Sequence, residues 1–138
     1  MGKVSARGYN KSMRKNISTN TPSERKVGYS RAVIVNNKMY ISGTTAIDEQ
    51  GRTCGKTLYE QADYCFKKIK TVLTKNGFSA ADVVLVTAYV ISLDDLGGFD
   101  QAFREHFFRV KPGCTLVGVK ALIKPDLLVE VAAIAEKS

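Results

Sequence analysis

A single carboxylate inside an apolar run is the first candidate for chemistry in this chain. In LLVEVAAIA, Glu130 is flanked only by Leu, Val, Ala and Ile. Buried there without a partner it would cost on the order of several kcal/mol, so it must reach a strand end, an exposed edge, a cleft between subunits or a positive partner. In a cleft, Glu130 could hold a water or act as an acid–base group with a raised pKa; at an edge it would be a plain surface glutamate. Cys114, in KPGCTLVGV, stands where a helix-like segment gives way to a strand-like one. Its alternatives are a nucleophile, a pocket-lining side chain and a small apolar filler, and no histidine adjoins it to lower its pKa. His106, the only histidine, borders a helical apolar stripe and reads as a packed residue rather than a base. The three cysteines, Cys54, Cys65 and Cys114, form no CxxC pair, so neither a disulfide framework nor a zinc centre is expected, and the compartment reads as reducing.

Other chemistries are excluded by missing signatures. The chain has no GxxxxGK[ST], no GxGxxG after a strand, no GxSxG and no HExxH. At 138 residues, with 44% hydrophobic and 25% charged side chains, it has the size and balance of one soluble domain with its own core. The longest nearly apolar run, Val83 to Leu93, is far shorter than the roughly 20 residues that span a bilayer. No membrane partner and no secretory leader are expected, and a cytoplasmic location is the simplest reading.

The net charge of +8 belongs mostly to one end. Residues 1–31 hold eight basic side chains against Glu24 alone, whereas the rest of the chain is nearly neutral. The chain therefore divides into a basic N-terminal extension, residues 1–15, and a domain over residues 16–138. Such an extension can add salt-dependent attraction to phosphates, or weakly resemble an organelle-targeting segment. Before Tyr29 it has only Tyr9 to stack on a base, so RNA is the less favoured partner. RNA binding through this segment predicts a steep salt dependence that is lost when residues 1–15 are deleted.

The elements that must position these side chains can be read in order. Asn16 to Thr19 predicts a short edge strand. Ser30–Val35 and Met39–Ile47 predict a hairpin closed by Asn36-Asn37. Thr57-Leu58-Tyr59-Glu60 is a capping box, and Leu58, Ala62, Cys65, Phe66, Ile69, Val72 and Leu73 recur at helical spacing up to Asn76-Gly77. Cys65 falls on that stripe and is expected in the core. Val83 to Leu93 predicts a strand, and a second helix is expected from Asp94 or Asp95 to Pro112-Gly113. Cys114–Ile123 and Leu127–Ala135 predict two final strands.

The fold class is thus α+β: a single sheet with two helices on one face. Helices on one face leave the other to water or to another subunit. Both alternating faces of LLVEVAAIA are largely apolar, so the uncovered face is expected to be buried by copies of the same chain.

Gly28-Tyr29-Ser30-Arg31-Ala32, Ile41-Ser42-Gly43 with Asp48 and Gly51, Glu60-Gln61, Asp82-Val83-Val84, Phe107-Phe108, Pro112-Gly113-Cys114-Thr115 and Leu128-Val129-Glu130-Val131 with Ala133-Ile134-Ala135 follow one another in a recognisable order. In that order and spacing, the chain resembles the RidA family (YjgF, also called the L-PSP endoribonuclease family) over about Asn16 to Glu136. The resemblance implies a chorismate-mutase-like fold, a homotrimer, and three small-molecule sites in clefts between subunits. It also implies hydrolysis of reactive imines and enamines to a ketoacid and ammonia, with no metal or organic cofactor. By position, Tyr29 is the tyrosine that lines the family's pocket and Glu130 the glutamate that places its water.

The family's carboxylate-holding arginine, in a Pro-Ala-Arg-Thr/Ser motif, is replaced here by Cys114. A cysteine cannot supply a bidentate charged fork, and losing such a bond weakens binding by about 10- to 150-fold. Lys120 is six residues further on, roughly 20 Å along an extended strand, and cannot substitute within one chain. The expected site therefore has Glu130 and Cys114 as candidate catalytic residues, with Tyr29, Thr44, Cys114 and Thr115 lining it. Its ligand is a small imine, enamine or carbonyl compound. Deamination of amino-acid-derived imines is doubtful, and the alternative is an RNA-binding protein or endoribonuclease of the L-PSP type.

Overall fold

Asn36 adopts the left-handed conformation, φ 57°, and so lets two Val- and Ile-rich stretches double back as a hairpin. The computed structural model describes residues 13–138. The hairpin strands are β2 (Ala32–Val35) and β3 (Lys38–Thr45), and the edge strand β1 (Arg14–Ile17) pairs antiparallel with β2. β1 starts two residues before the expected Asn16, so Arg14 and Lys15 lie in the sheet; residues 1–12 of the basic extension lie outside the described residues.

Helix α1 (Leu58–Lys75) opens on the predicted capping box. The Thr57 hydroxyl accepts from the Glu60 amide, and the Glu60 carboxylate accepts from the Thr57 amide. It ends at Asn76, followed by Gly77 at φ 81°. Strand β4 (Val83–Val90), helix α2 (Gly97–Phe107), strand β5 (Gly113–Gly118) and strand β6 (Val129–Glu136) complete the domain.

The six strands run in the order β1-β2-β3-β6-β4-β5. All pairs are antiparallel except β4–β5, which is parallel and is joined across α2. Both helices cover the same face, giving the α+β, chorismate-mutase-like arrangement. The core lies between that face and the helices. Phe66 of α1 meets Phe99, Phe103 and Phe107 of α2 edge-on, with ring centroids 6.0, 6.1 and 5.2 Å apart. Truncating Phe66 to alanine would cost about 3–5 kcal/mol. Cys65 is fully buried on the same stripe.

Other boundaries also differ from the sequence reading. The expected Val83–Leu93 strand stops at Val90. The second helix starts at Gly97 rather than Asp94 or Asp95, because Ser92 Oγ and Asp95 Oδ1 take the Asp94 and Gly97 amides into turns instead. The expected Cys114–Ile123 strand ends at Gly118, with the Val119 amide still donating to the Val90 carbonyl of β4. Among the described residues, no helix is long and apolar enough to cross a membrane.

Candidate functional site

Strand β3 is irregular where it passes Glu130. Ile41 pairs with Ala133 and Thr44 with Val131, so Ser42 and Gly43 together oppose Ala132 in a β-bulge. The extra residue reverses the alternation of β3. Met39 and Ile41 point toward the helices, then Thr44 and Ala46 do, while Gly43 is turned to the open face. Glu130 stands on that open face, directly opposite Thr45 on one side and Tyr89 on the other. Its carboxylate rests over the bare Cα of Gly43, in the space a side chain at 43 would need.

Four carbonyls around the bulge are held by side chains. Arg31 Nη2 donates to Gly43 O, and Cys65 Sγ to Thr44 O at 3.3 Å. Lys68 Nζ donates to Thr45 O at 2.9 Å and Ile47 O at 3.0 Å. Burial lowers the Lys68 pKa and pushes the Cys65 thiol up to about 12, so Cys65 acts here as a neutral donor. The other end of the site is fixed by Gln61, a buried side chain of α1. Its Nε2 donates to Gly55 O at 3.1 Å and Asp126 O at 3.0 Å, and its Oε1 accepts from the Leu128 amide at 2.8 Å. Gln61 thereby sets the start of β6 two residues before Glu130.

A cavity of about 370 Å³ opens over Glu130, lined by Gly43, Tyr89, Val119, Ala121, Leu122 and Ala132. Because β5 stops early, the residues after it can fold over this end of the sheet. Beside the cavity, the open face continues as a shallow apolar surface that includes Val33, Tyr40, Leu85 and Ile134. Tyr40 is 44% exposed there.

The other expected site residues do not gather around Glu130 within one protomer. Thr44 is 2% exposed and faces the helices, with its hydroxyl donating to Ser42 O at 2.9 Å. The bulge is the reason: it turns Thr44 inward, so Thr44 cannot line a cleft on the open face and Gly43 and Thr45 take that place. Thr115 pairs with Thr87 on the open face. Cys114 pairs with Val86, a helix-side residue, and so lies on the opposite face from Glu130. There Cys114 borders a separate cavity of about 440 Å³ with Phe99, Phe103, Phe107 and Phe108. Partial burial, and then the nearby Asp100 carboxylate, push its thiol up, which disfavours the thiolate a nucleophile requires. Tyr29 is 41% exposed, immediately after a π-helical turn over Glu24–Gly28.

His106 packs against Phe66 and Phe107, and its Nε2 lies 2.7 Å from Asp63 Oδ1. This is the packed position that the helical stripe predicted. Sequence reading missed Gly43, Thr45 and Tyr89 as neighbours of Glu130. The Ser-Gly pair inside a β-prone run was the one available signal, since glycine in a strand marks a bulge or a close approach.

Known proteins resemble this chain over most of its length. The family model described as Endoribonuclease L-PSP matches residues 19–137. A RutC family protein of Pyrococcus abyssi is 34% identical over 127 residues, covering 91% of this chain and 99% of its own. The rat protein named 2-iminobutanoate/2-iminopropanoate deaminase is 28% identical over 124 residues, covering 89% of this chain and 90% of its own. Among solved structures, the Mycobacterium tuberculosis protein Rv2704, described as a member of the YjgF/YER057c/UK114 family, superposes with a TM-score of 0.82. It is 31% identical and covers 90% of this chain and 99% of its own. The match runs through the bulge, the glutamate strand and both helices, and the chain belongs to the RidA/YjgF (endoribonuclease L-PSP) family.

Proposed function

We propose that the protein is a cofactor-independent homotrimer that binds and hydrolyses a small imine or enamine at clefts formed between its subunits. The observation that carries this reading is Glu130, a carboxylate on an otherwise apolar open face, seated over Gly43 at the mouth of a cavity. The exposed apolar surface beside it supports the assembly: a monomer would leave Tyr40, Leu85 and Ile134 partly in water. The similarity to the rat protein named as an iminobutanoate and iminopropanoate deaminase supports the reaction class.

In this reading Glu130 accepts a proton from a water as the water oxygen bonds to the imine carbon. The C=N bond becomes a C–N single bond, and the carbinolamine nitrogen takes up the proton from Glu130. The hydroxyl proton is then relayed to nitrogen as the C–N bond breaks, a carbonyl forms, and nitrogen leaves as ammonia. Cys114 has no part in these steps. Because it is on the other face, it can meet a Glu130 only if another subunit brings it there.

The test is hydrolysis of 2-iminopropanoate, generated in situ, by the wild type and by Glu130→Gln, with solution mass measured in parallel. Turnover that falls about 10²-fold or more in Glu130→Gln, in a particle three times the chain mass, is the expected result. Wild-type turnover that Glu130→Gln leaves intact overturns the reading. Cys114→Arg belongs in the same series. If it alone gains activity on carboxylate-bearing imines, the wild-type site is aimed at a ligand without that group.

A further inference from the structure

The cavity over Glu130 carries a negative charge with no positive one to balance it. Among the described residues that line it, Glu130 is the one charged side chain. Gly43, Val119, Ala121, Leu122 and Ala132 offer apolar surface, and Tyr89 offers an aromatic ring. The adjoining open surface, from Leu85 across Ile134 to Val33, adds no charge. Two cations at the bulge are engaged with backbone: Arg31 with Gly43 O, and Lys68 with Thr45 O and Ile47 O. Lys120 lies in sequence between two lining residues but is exposed, and Lys124 donates to Gly51 O at 3.0 Å. Cys114 is uncharged and on the other face.

A second anion in this space would meet Glu130 across apolar walls, where like charges repel more strongly than in water. A cation there would be attracted, and Tyr89 adds to that attraction. Tyr89 stands directly opposite Glu130 across the β4–β6 pair, so the two side chains are cross-strand neighbours on one face. The face of a phenol ring draws a cation held within about 6 Å of its centre. A carboxylate and an aromatic ring side by side thus suit a small organic cation. Val119, Ala121 and Leu122, just after β5, supply apolar cover for its alkyl part.

We infer that the Glu130 cavity selects an imine without a carboxylate, bound as its protonated iminium between the Glu130 carboxylate and the Tyr89 ring. This rests on the cleft proposed above and names the ligand it takes. Protonation makes the imine carbon the better electrophile, so the form that binds is also the form that water attacks. The extra proton leaves on nitrogen, as ammonium in place of ammonia. An imino acid such as 2-iminopropanoate is then the poorer substrate, because its carboxylate has no partner in the cavity.

The experiment compares three unreactive five-membered rings by NMR titration of the full-length protein at pH 7.5. Pyrrolidine is a cation without a carboxylate, proline adds a carboxylate to the same ring, and tetrahydrofuran is uncharged. Wild type, Glu130→Gln, Tyr89→Leu and Tyr89→Phe are titrated, with melting temperature and solution mass measured on each. Wild type should bind pyrrolidine at least about 10-fold tighter than either other ring, and Glu130→Gln should erase that preference. Tyr89→Leu should weaken pyrrolidine about 3- to 30-fold, while Tyr89→Phe, which keeps the ring, should stay within about 2-fold of wild type. Pyrrolidine binding no tighter than proline, in a protein whose imine hydrolysis depends on Glu130, overturns the inference and leaves the cleft standing. Pyrrolidine affinity untouched by Tyr89→Leu overturns it as well. If a variant fails to fold, the wild-type ranking of the three rings decides. A wild type that binds none of them and hydrolyses no imine overturns the cleft and this inference together.

Discussion

The Glu130 carboxylate occupies the space that a side chain at position 43 would fill. Glycine is required at 43 for room, since a methyl group there would collide with the end of a flexible glutamate rather than with backbone. Gly43→Ala should leave the fold intact and swing Glu130 aside. Hydrolysis should then fall at least 10-fold, toward the level of Glu130→Gln, with a melting temperature within a few degrees of wild type. Full activity in Gly43→Ala would show that the position of Glu130 does not matter to the reaction.

The open sheet face makes a prediction about assembly. Ile134 lies opposite Tyr40 on that face, away from the helices and away from Glu130. Ile134→Arg would place a charge in the proposed contact between subunits without disturbing the core. Light scattering should give the 15.1 kDa protomer, with circular dichroism unchanged. An oligomer that survives this change would move the interface elsewhere.

The cysteines should differ sharply in reactivity. Cys65 is fully buried, with its thiol pushed up to about 12 by desolvation first and the Glu130 charge among the minor causes. Cys114 is exposed but also has its thiol raised. A disulfide reagent at pH 8 should modify Cys114 slowly and Cys65 only after denaturation, read by mass spectrometry of digests. Rapid modification of Cys114 near pH 6 would restore it as a nucleophile candidate.

Glu24 supplies a pH dependence of stability. Burial alone would raise its pKa, but hydrogen bonds from Thr19, Ser18 and Thr21 outweigh it and hold the carboxyl below its ordinary value. The folded pKa is thus below the unfolded one. Its contribution is complete above the unfolded carboxyl range and is lost as pH falls through the folded value. Glu24→Gln should cost about 1–3 kcal/mol at pH 7 and flatten the acid side of the stability profile below the ordinary carboxyl range. Denaturant melts at pH 7 and pH 3 would show the difference between variants shrinking as the pH drops. A difference that stays constant would assign the loss to packing alone.

The fold was legible where local chemistry and hydrophobic period agreed. The Thr57–Glu60 capping box, the α1 stripe ending at Asn76-Gly77, and the Asn36-Asn37 turn all formed as read. The ends of β4 and β5 were not legible, because apolar residues continue past Val90 and Gly118 in the sequence. Glu130 stood out in sequence by its apolar neighbours. Thr44 was misplaced because a one-residue bulge inverts every side chain after it, and the Ser42-Gly43 pair is the only mark of that inversion in the sequence. Arg31 was quoted within a motif, yet its bond to the bulge depends on a contact twelve residues away at Gly43.

Cys65 and Lys68 are one helical turn apart, and between them they hold three of the four clasped carbonyls beneath Glu130. The bulge and α1 therefore make a single cooperative unit. Fraying the helix would release the strand, and distorting the strand would strip a buried ammonium of its acceptors. Amide protons of β3 near Thr44 and of α1 near Cys65 should exchange with solvent together, at a common opening free energy. Any partial unfolding that spares the proposed site would have to begin elsewhere, at β1 or at the β5 edge.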